Sequence, residues 1–138
     1  MRLESSTLAL PAASLLPMPV PEIRLRPCND RPLRPQGDYV LYWMIAARRT
    51  RSNFALQRAV ELAHELGKPL LVLEPVRLDY PWASDRLHAF ILEGMADNAR
   101  ALKERSALYS PYVEPEPNAG RGLLVELAHA ACAVVTED

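Results

Sequence analysis

Tyr39-Val40-Leu41-Tyr42-Trp43-Met44-Ile45 is an unbroken apolar run rather than an alternating one. A strand with one wet face alternates apolar and polar residues. A continuous run of this length reads as a strand covered on both faces, as in a parallel sheet. A helical pattern follows at once, with Leu56, Ala59, Val60, Ala63 and Leu66 at helical spacing. Ser52 or Asn53 stands where a cap belongs, and Gly67 where such a helix ends.

Working outward, Leu70–Leu73 is a second short apolar run, set off by Pro69 and Pro75. Ser84 is placed to cap a long helix in which Leu87, Phe90, Ile91, Met95 and Leu102 recur, with Lys103 and Arg105 in its last turn. Tyr112-Val113 reads as a weak third strand at an edge, crowded by Pro111, Pro115 and Pro117. Gly122–Ala131 gives a third helix and Ala133–Val135 a fourth strand. The order βαβαβαβ predicts an α/β, three-layer, Rossmann-like domain with a mostly parallel sheet and right-handed crossovers, incomplete at its C-terminal side. Its ligand edge lies beyond the carboxyl ends of the strands.

Composition agrees with one such core. The chain has 138 residues, of which 49% are hydrophobic and 24% charged, with 16 Lys+Arg against 17 Asp+Glu. A net charge of −1 argues against a mainly electrostatic grip on nucleic acid or an acidic membrane. Cys28 and Cys132 form no disulfide framework and no zinc spacing, so no metal is expected. No apolar run approaches the ~20 residues that span a bilayer. These features point to a soluble cytoplasmic protein.

Seven of the 13 prolines fall in residues 1–37. This predicts a proline-rich, partly disordered N-terminal arm over 1–37 and the α/β domain over 38–138, with Ile23–Pro35 lying against the domain. A signal peptide cleaved at Ala12-Ala13-Ser14 is disfavoured, because Glu4 offsets Arg2 and Pro11 breaks the apolar stretch early. At the other end Thr136-Glu137-Asp138 follows a core strand directly, as expected of a piece of a longer polypeptide.

The chemistry is less legible. Ala46-Ala47-Arg48-Arg49 stands where a dinucleotide fingerprint carries its glycines, and no phosphate-binding P-loop occurs. His64, His88 and His129 fall singly within helical patterns, and Cys132 abuts an apolar strand, so no catalytic set converges. Arg48, Arg49 and Arg51 form a basic cluster before the first helix, to be paired with Glu74, Asp79 or Asp85, or to dock an anion or a neighbouring domain. Asp79-Tyr80-Pro81-Trp82 puts two aromatics in one loop at the ligand edge, as an interface, a seat for a flat ligand, or a loop folded back on its own surface.

Tyr42-Trp43-Met44, Arg49 and Asn53-Phe54-Ala55-Leu56, followed by Glu65-Leu66-Gly67-Lys68-Pro69-Leu70, Asp79-Tyr80-Pro81-Trp82-Ala83-Ser84, Arg86, His88, Phe90 and Leu92-Glu93-Gly94-Met95, resemble the N-terminal α/β domain of the class II deoxyribodipyrimidine photolyases. The likeness runs from about residue 22 through Gly37-Asp38-Tyr39 to Val134-Val135-Thr136, with Phe54 where many members carry Trp or His. It implies a light-dependent DNA-repair flavoprotein that splits cyclobutane pyrimidine dimers. In that family FAD and the flipped lesion are bound by a helical domain that this chain lacks, so the chain alone is expected to be inactive, with no catalytic residue and no cofactor of its own. By the same resemblance Trp43, Met44, Asp79, Tyr80 and Ser84 edge a deazaflavin or folate antenna. Arg48, Arg49, Asn53 and Arg86 face the helical domain. The implied partners are that domain and UV-damaged DNA, with no membrane, and self-association where the docking edge is bare. Two other readings stand beside it: a stand-alone nucleotide-binding domain of universal-stress type, and a non-catalytic photolyase relative that binds partners.

Overall fold

The computed structural model describes residues 18–137. The cleavage site weighed at Ala12-Ala13-Ser14 lies outside them. The first apolar run forms β1 (Tyr39–Trp43), followed by α1 (Phe54–Leu66), β2 (Leu70–Val76), α2 (Asp85–Lys103), β3 (Ala107–Val113), α3 (Leu123–Ala130) and β4 (Ala131–Thr136). All strand pairs are parallel, in the order β3-β2-β1-β4.

That order explains the layering. The chain steps from β1 to β2 to β3 in one direction, and α1 and α2 cover one face. It then returns to the far side of β1. With crossovers of one hand, reversing direction moves the next helix to the opposite face. Accordingly Val40, Tyr42 and Met44 pack with Leu56, Ala59, Leu62 and Leu102 of α1 and α2. Leu41, Leu71 and Leu73 pack instead beneath Leu123, Leu124 and Leu127 of α3. The unbroken apolar run of β1 is thus used on both faces, and the expected three-layer α/β fold is observed.

The helix signals are realised with small shifts. Asn53, not Ser52, caps α1, its Oδ1 accepting from Leu56 N at 2.9 Å. Gly67 ends α1 in the left-handed region at φ 61°. Ser84 Oγ accepts from Leu87 N at 3.2 Å to cap α2. Val60 points outward and Leu62 takes its place in the core. Phe90 is 73% exposed, and the buried stripe of α2 runs through Met95, Asn98 and Leu102. Arg105 falls beyond the last turn of α2, which holds Arg100 and Lys103.

The strands are longer than the apolar runs suggested. β2 continues through Pro75 to Val76 on its pairing with β3; toward β1 the last bond is Met44 N to Leu73 O at 2.9 Å, and that ladder stops where Pro75 has no N–H to donate. β3 runs from Ala107 through Pro111, tolerable because among the described residues β3 has a neighbour on one side only. α3 stops at Ala130, and β4 begins directly at Ala131, opposite Tyr39.

The arm's described part is fastened to this core. Val20 is buried, and its N–H donates to Glu61 Oε1 at 3.0 Å. The Arg24 guanidinium stacks 4.5 Å from the Phe54 ring centroid, a cation–π contact. Arg34 N donates to Cys132 O at 2.9 Å, alongside the start of β4. Ile23, by contrast, is fully exposed.

Candidate functional site

An acid ends the apolar part of each of three strands: Glu74 in β2, Glu114 just after β3 and Glu137 just after β4. The fold brings all three to the carboxyl rim of the sheet, and each fastens a loop there.

Glu74 is fully buried. Its Oε2 accepts from Tyr109 Oη at 2.7 Å and Asn98 Nδ2 at 2.9 Å, and its Oε1 accepts from Arg48 Nη1 at 3.3 Å. Arg48 also donates to Pro75 O at 2.7 Å. One carboxylate therefore joins the first strand-to-helix turn, β2, α2 and β3. Burial, and next the Glu74 carboxylate, push the Tyr109 phenol well above its ordinary range, so it stays a neutral donor.

Glu114 takes Leu78 N at 3.0 Å and Gly120 N at 3.2 Å, tying the loop after β2 to the loop after β3. The Leu78 N–H contributes most to holding its carboxyl below the usual range. Glu137 accepts from the backbone of Ile45, Ala46 and Ala47 and from Tyr42 Oη. Burial first, then the Glu137 hydrogen bond, raise the Tyr42 phenol far above its ordinary value.

Two clefts open beside Trp43 at this rim. The first, of about 360 Å³, lies on the α3 face, walled by Trp43, Leu73, Tyr112, Leu123 and Leu124, with Arg77, Arg121, Glu114 and Asn118 among its polar lining. The second, of about 330 Å³, lies on the α2 side between Trp43, Ile45, Tyr80, Leu87 and Ile91, with Arg48 and Arg77. Flat apolar walls with guanidinium groups suit a planar aromatic ligand carrying a negative charge. Among the described residues no group of His, Cys, Asp and Glu is placed to hold a metal.

The residues named for an antenna edge are only partly brought together. Trp43 and Tyr80 line the second cleft. Met44 is fully buried under α2, with Asn98 Nδ2 3.7 Å from its sulfur. Asp79 and Ser84 line neither cleft, and Ser84 serves as the α2 cap. Trp82 is 91% exposed. Tyr80 instead folds back to meet His88 edge-on, ring centroids 5.5 Å apart.

Of the basic cluster, Arg48 is paired with Glu74, whereas Arg49 is exposed and its Nη2 donates to Ser52 O at 3.1 Å. Arg86 is exposed on the first turn of α2. Asn53 does more than cap: its Nδ2 lies 2.8 Å from Tyr42 Oη and 3.0 Å from both Ala47 O and Arg49 O. His64 and His129 are exposed, and Cys132 is buried among apolar neighbours.

Arg77, Glu114 and Glu137 stand on the ligand edge expected beyond the strand ends, but the loops they fasten were not part of that expectation, nor were Tyr112 and Arg121 in the first cleft. The acid that recurs at the ends of β2, β3 and β4 was the available signal.

No protein-family model matches the chain. Over 114 residues, 83% of its length, it is 35% identical to a deoxyribodipyrimidine photo-lyase of Methanothermobacter thermautotrophicus, and it spans 25% of that protein. No helix among the described residues is long and apolar enough to cross a membrane.

Proposed function

We propose, from its relation to a photolyase, that this chain is the N-terminal α/β part of a light-dependent repair enzyme of the class II type. The observation that carries the reading is the 35% identity extending across 83% of the chain, on an α/β fold whose sheet is parallel, as expected. In the whole enzyme, reduced FAD supplies the light-driven electron that splits the cyclobutane ring. That group and the flipped lesion belong to a helical domain outside this sequence. Near-neutral charge fits this division, because the DNA-gripping surface lies on the other domain.

Within that scheme this chain has two tasks. Its carboxyl rim, stiffened by Glu74, Glu114 and Glu137, presents Arg49 and Arg86 to the helical domain. Trp43, shared by both clefts, forms the wall for an antenna of deazaflavin or folate type, and Arg77 binds its acidic tail.

The test for the first part joins the chain to a FAD-binding helical domain of a photolyase and measures light-dependent loss of thymine dimers. Loss in light and none in darkness is expected; no light-dependent loss in a folded, FAD-loaded protein refutes it. For the antenna, the whole chain carrying Trp82→Phe reports through Trp43 fluorescence. Saturable quenching by a deazaflavin or a reduced folate is expected, weakened by Arg77→Ala. Absence of quenching by either removes the antenna role.

A further inference from the structure

The crevice between β1 and β4, where strand order reverses, is where doubly wound sheets usually seat a ligand's charged group. Here it is occupied from within. Three successive backbone N–H groups, those of Ile45, Ala46 and Ala47, converge on Glu137 Oε1 at 3.0 Å each. The second oxygen accepts from Tyr42 Oη at 2.7 Å. Consecutive N–H groups turned toward one point make a concavity of positive potential, and such nests bind anions.

The donors are held in place by contacts that do not involve Glu137. Arg48 N donates to Ala46 O at 3.0 Å and Arg49 N to Ala47 O at 2.7 Å, which sets the curvature of the turn. Asn53 Nδ2 pins the Ala47 and Arg49 carbonyls and contacts Tyr42 Oη, leaving that hydroxyl's own proton for the carboxylate. The Arg48 side chain, held by Glu74 and Pro75 O, anchors the far end of the same turn. Among the described residues the four groups that donate to the carboxylate are neutral, and two of them are backbone N–H groups of alanines.

We propose that the Ile45–Ala47 turn is an oxyanion-binding site in its own right, that Glu137 is its tethered occupant, and that a small free carboxylate takes the site when that side chain is removed. Tethering explains why a modest site is filled, since a carboxylate carried on the residue after β4 is present at high effective concentration. A free occupant lacks that advantage. For formate, with three heavy atoms, the ligand-efficiency ceiling sets the tightest dissociation constant at about 0.5 mM. The inference does not depend on the repair reading.

The experiment uses the whole chain carrying Glu137→Ala, with the amides of Ile45, Ala46 and Ala47 followed by NMR. All three amide protons are expected to move upfield in the variant. Formate should return them together along one saturable curve with a millimolar midpoint, while chloride at matched ionic strength leaves them unmoved. Inorganic phosphate serves as a second probe, and its binding with the same three shifts, beside the formate response, supports a site for oxyanions in general. Amides that do not move on removal of the carboxylate, or that respond to formate as they do to chloride, overturn the proposal. If Glu137→Ala fails to fold, the readout becomes the folded fraction by circular dichroism. Recovery in formate but not in chloride supports the site, and no recovery overturns it.

Discussion

Replacing Glu74 with leucine tests whether the buried carboxylate network holds the rim together. The substitution keeps bulk at a fully buried position and removes the acceptor shared by Tyr109, Asn98 and Arg48. Stranding a buried donor costs about 1–3 kcal/mol. Tyr109 Oη retains Met95 O at 3.2 Å, and Asn98 Nδ2 retains Arg48 O at 3.3 Å, so each falls in the lower half of that range. Breaking a buried ion pair typically costs about 3–5 kcal/mol. Arg48, however, has a side chain 23% exposed and keeps Pro75 O at 2.7 Å, so its charge turns to water at a cost of about 1 kcal/mol or less. Summed and set against the gain from added apolar burial, Glu74→Leu should cost about 3 kcal/mol. Glu74→Gln, which preserves size and one acceptor, should cost about 1–2 kcal/mol. Urea denaturation with an unchanged slope measures both. Tyr109→Phe should cost about 1 kcal/mol in the parent and almost nothing in the Glu74→Leu background, a coupling of about 1 kcal/mol. A leucine variant within about 0.5 kcal/mol of the parent, or additive double mutants, would refute the assignment of the network as a unit.

Asn53→Ala removes the α1 cap and the pin on the first strand-to-helix turn together, and should cost about 2 kcal/mol in chemical denaturation, with Asn53→Asp recovering only the cap share. Gly37→Ala should cost about 3 kcal/mol, because an added Cβ would lie 2.5 Å from Cys132 N, where the arm crosses the start of β4; a thermal midpoint equal to the parent's would contradict that close approach. Burial opposes ionisation of Glu61, yet hydrogen bonds from Gln57 and Val20 N–H, with Arg58, carry its carboxyl below the ordinary value. A carboxyl depressed in the folded state contributes stability above its unfolded pKa of about 4.3, and this is lost as pH falls through the lower folded value. Stability should therefore be flat from about pH 6 to 5 and decline below about pH 4, with a shallower acid slope in Glu61→Gln; an unchanged slope would exclude Glu61 as a contributor.

The legible part of the site was the part carried by local pattern. The aromatic content of Trp43 and Tyr80 at the rim, and the pairing of Arg48 with Glu74, follow from strand ends and charge. What pattern could not supply was direction. Met44 continues the apolar run past the last residue of β1 and sinks under α2, where Asn98, a polar residue in the buried stripe of that helix, meets its sulfur. Phe90 repeats at helical spacing yet faces outward, because the phase of α2 is set by Met95, Asn98 and Leu102 against the sheet.

By itself the sequence determined the α/β alternation, the two-faced burial of Tyr39–Trp43, the cap at Ser84, a cap at Ser52 or Asn53 and the stop at Gly67. Each of these depends on residues within a few positions of one another, through side-chain periodicity or a cap's reach to the next turn. Only the tertiary structure decided which acids turn inward. Glu74 meets residues from α2, β3 and the first turn, Glu114 joins two loops, and Glu137 reaches the Ile45–Ala47 backbone 90 to 92 residues earlier. Those partners become neighbours only when parallel strands align their carboxyl ends, so the rim is a product of strand order.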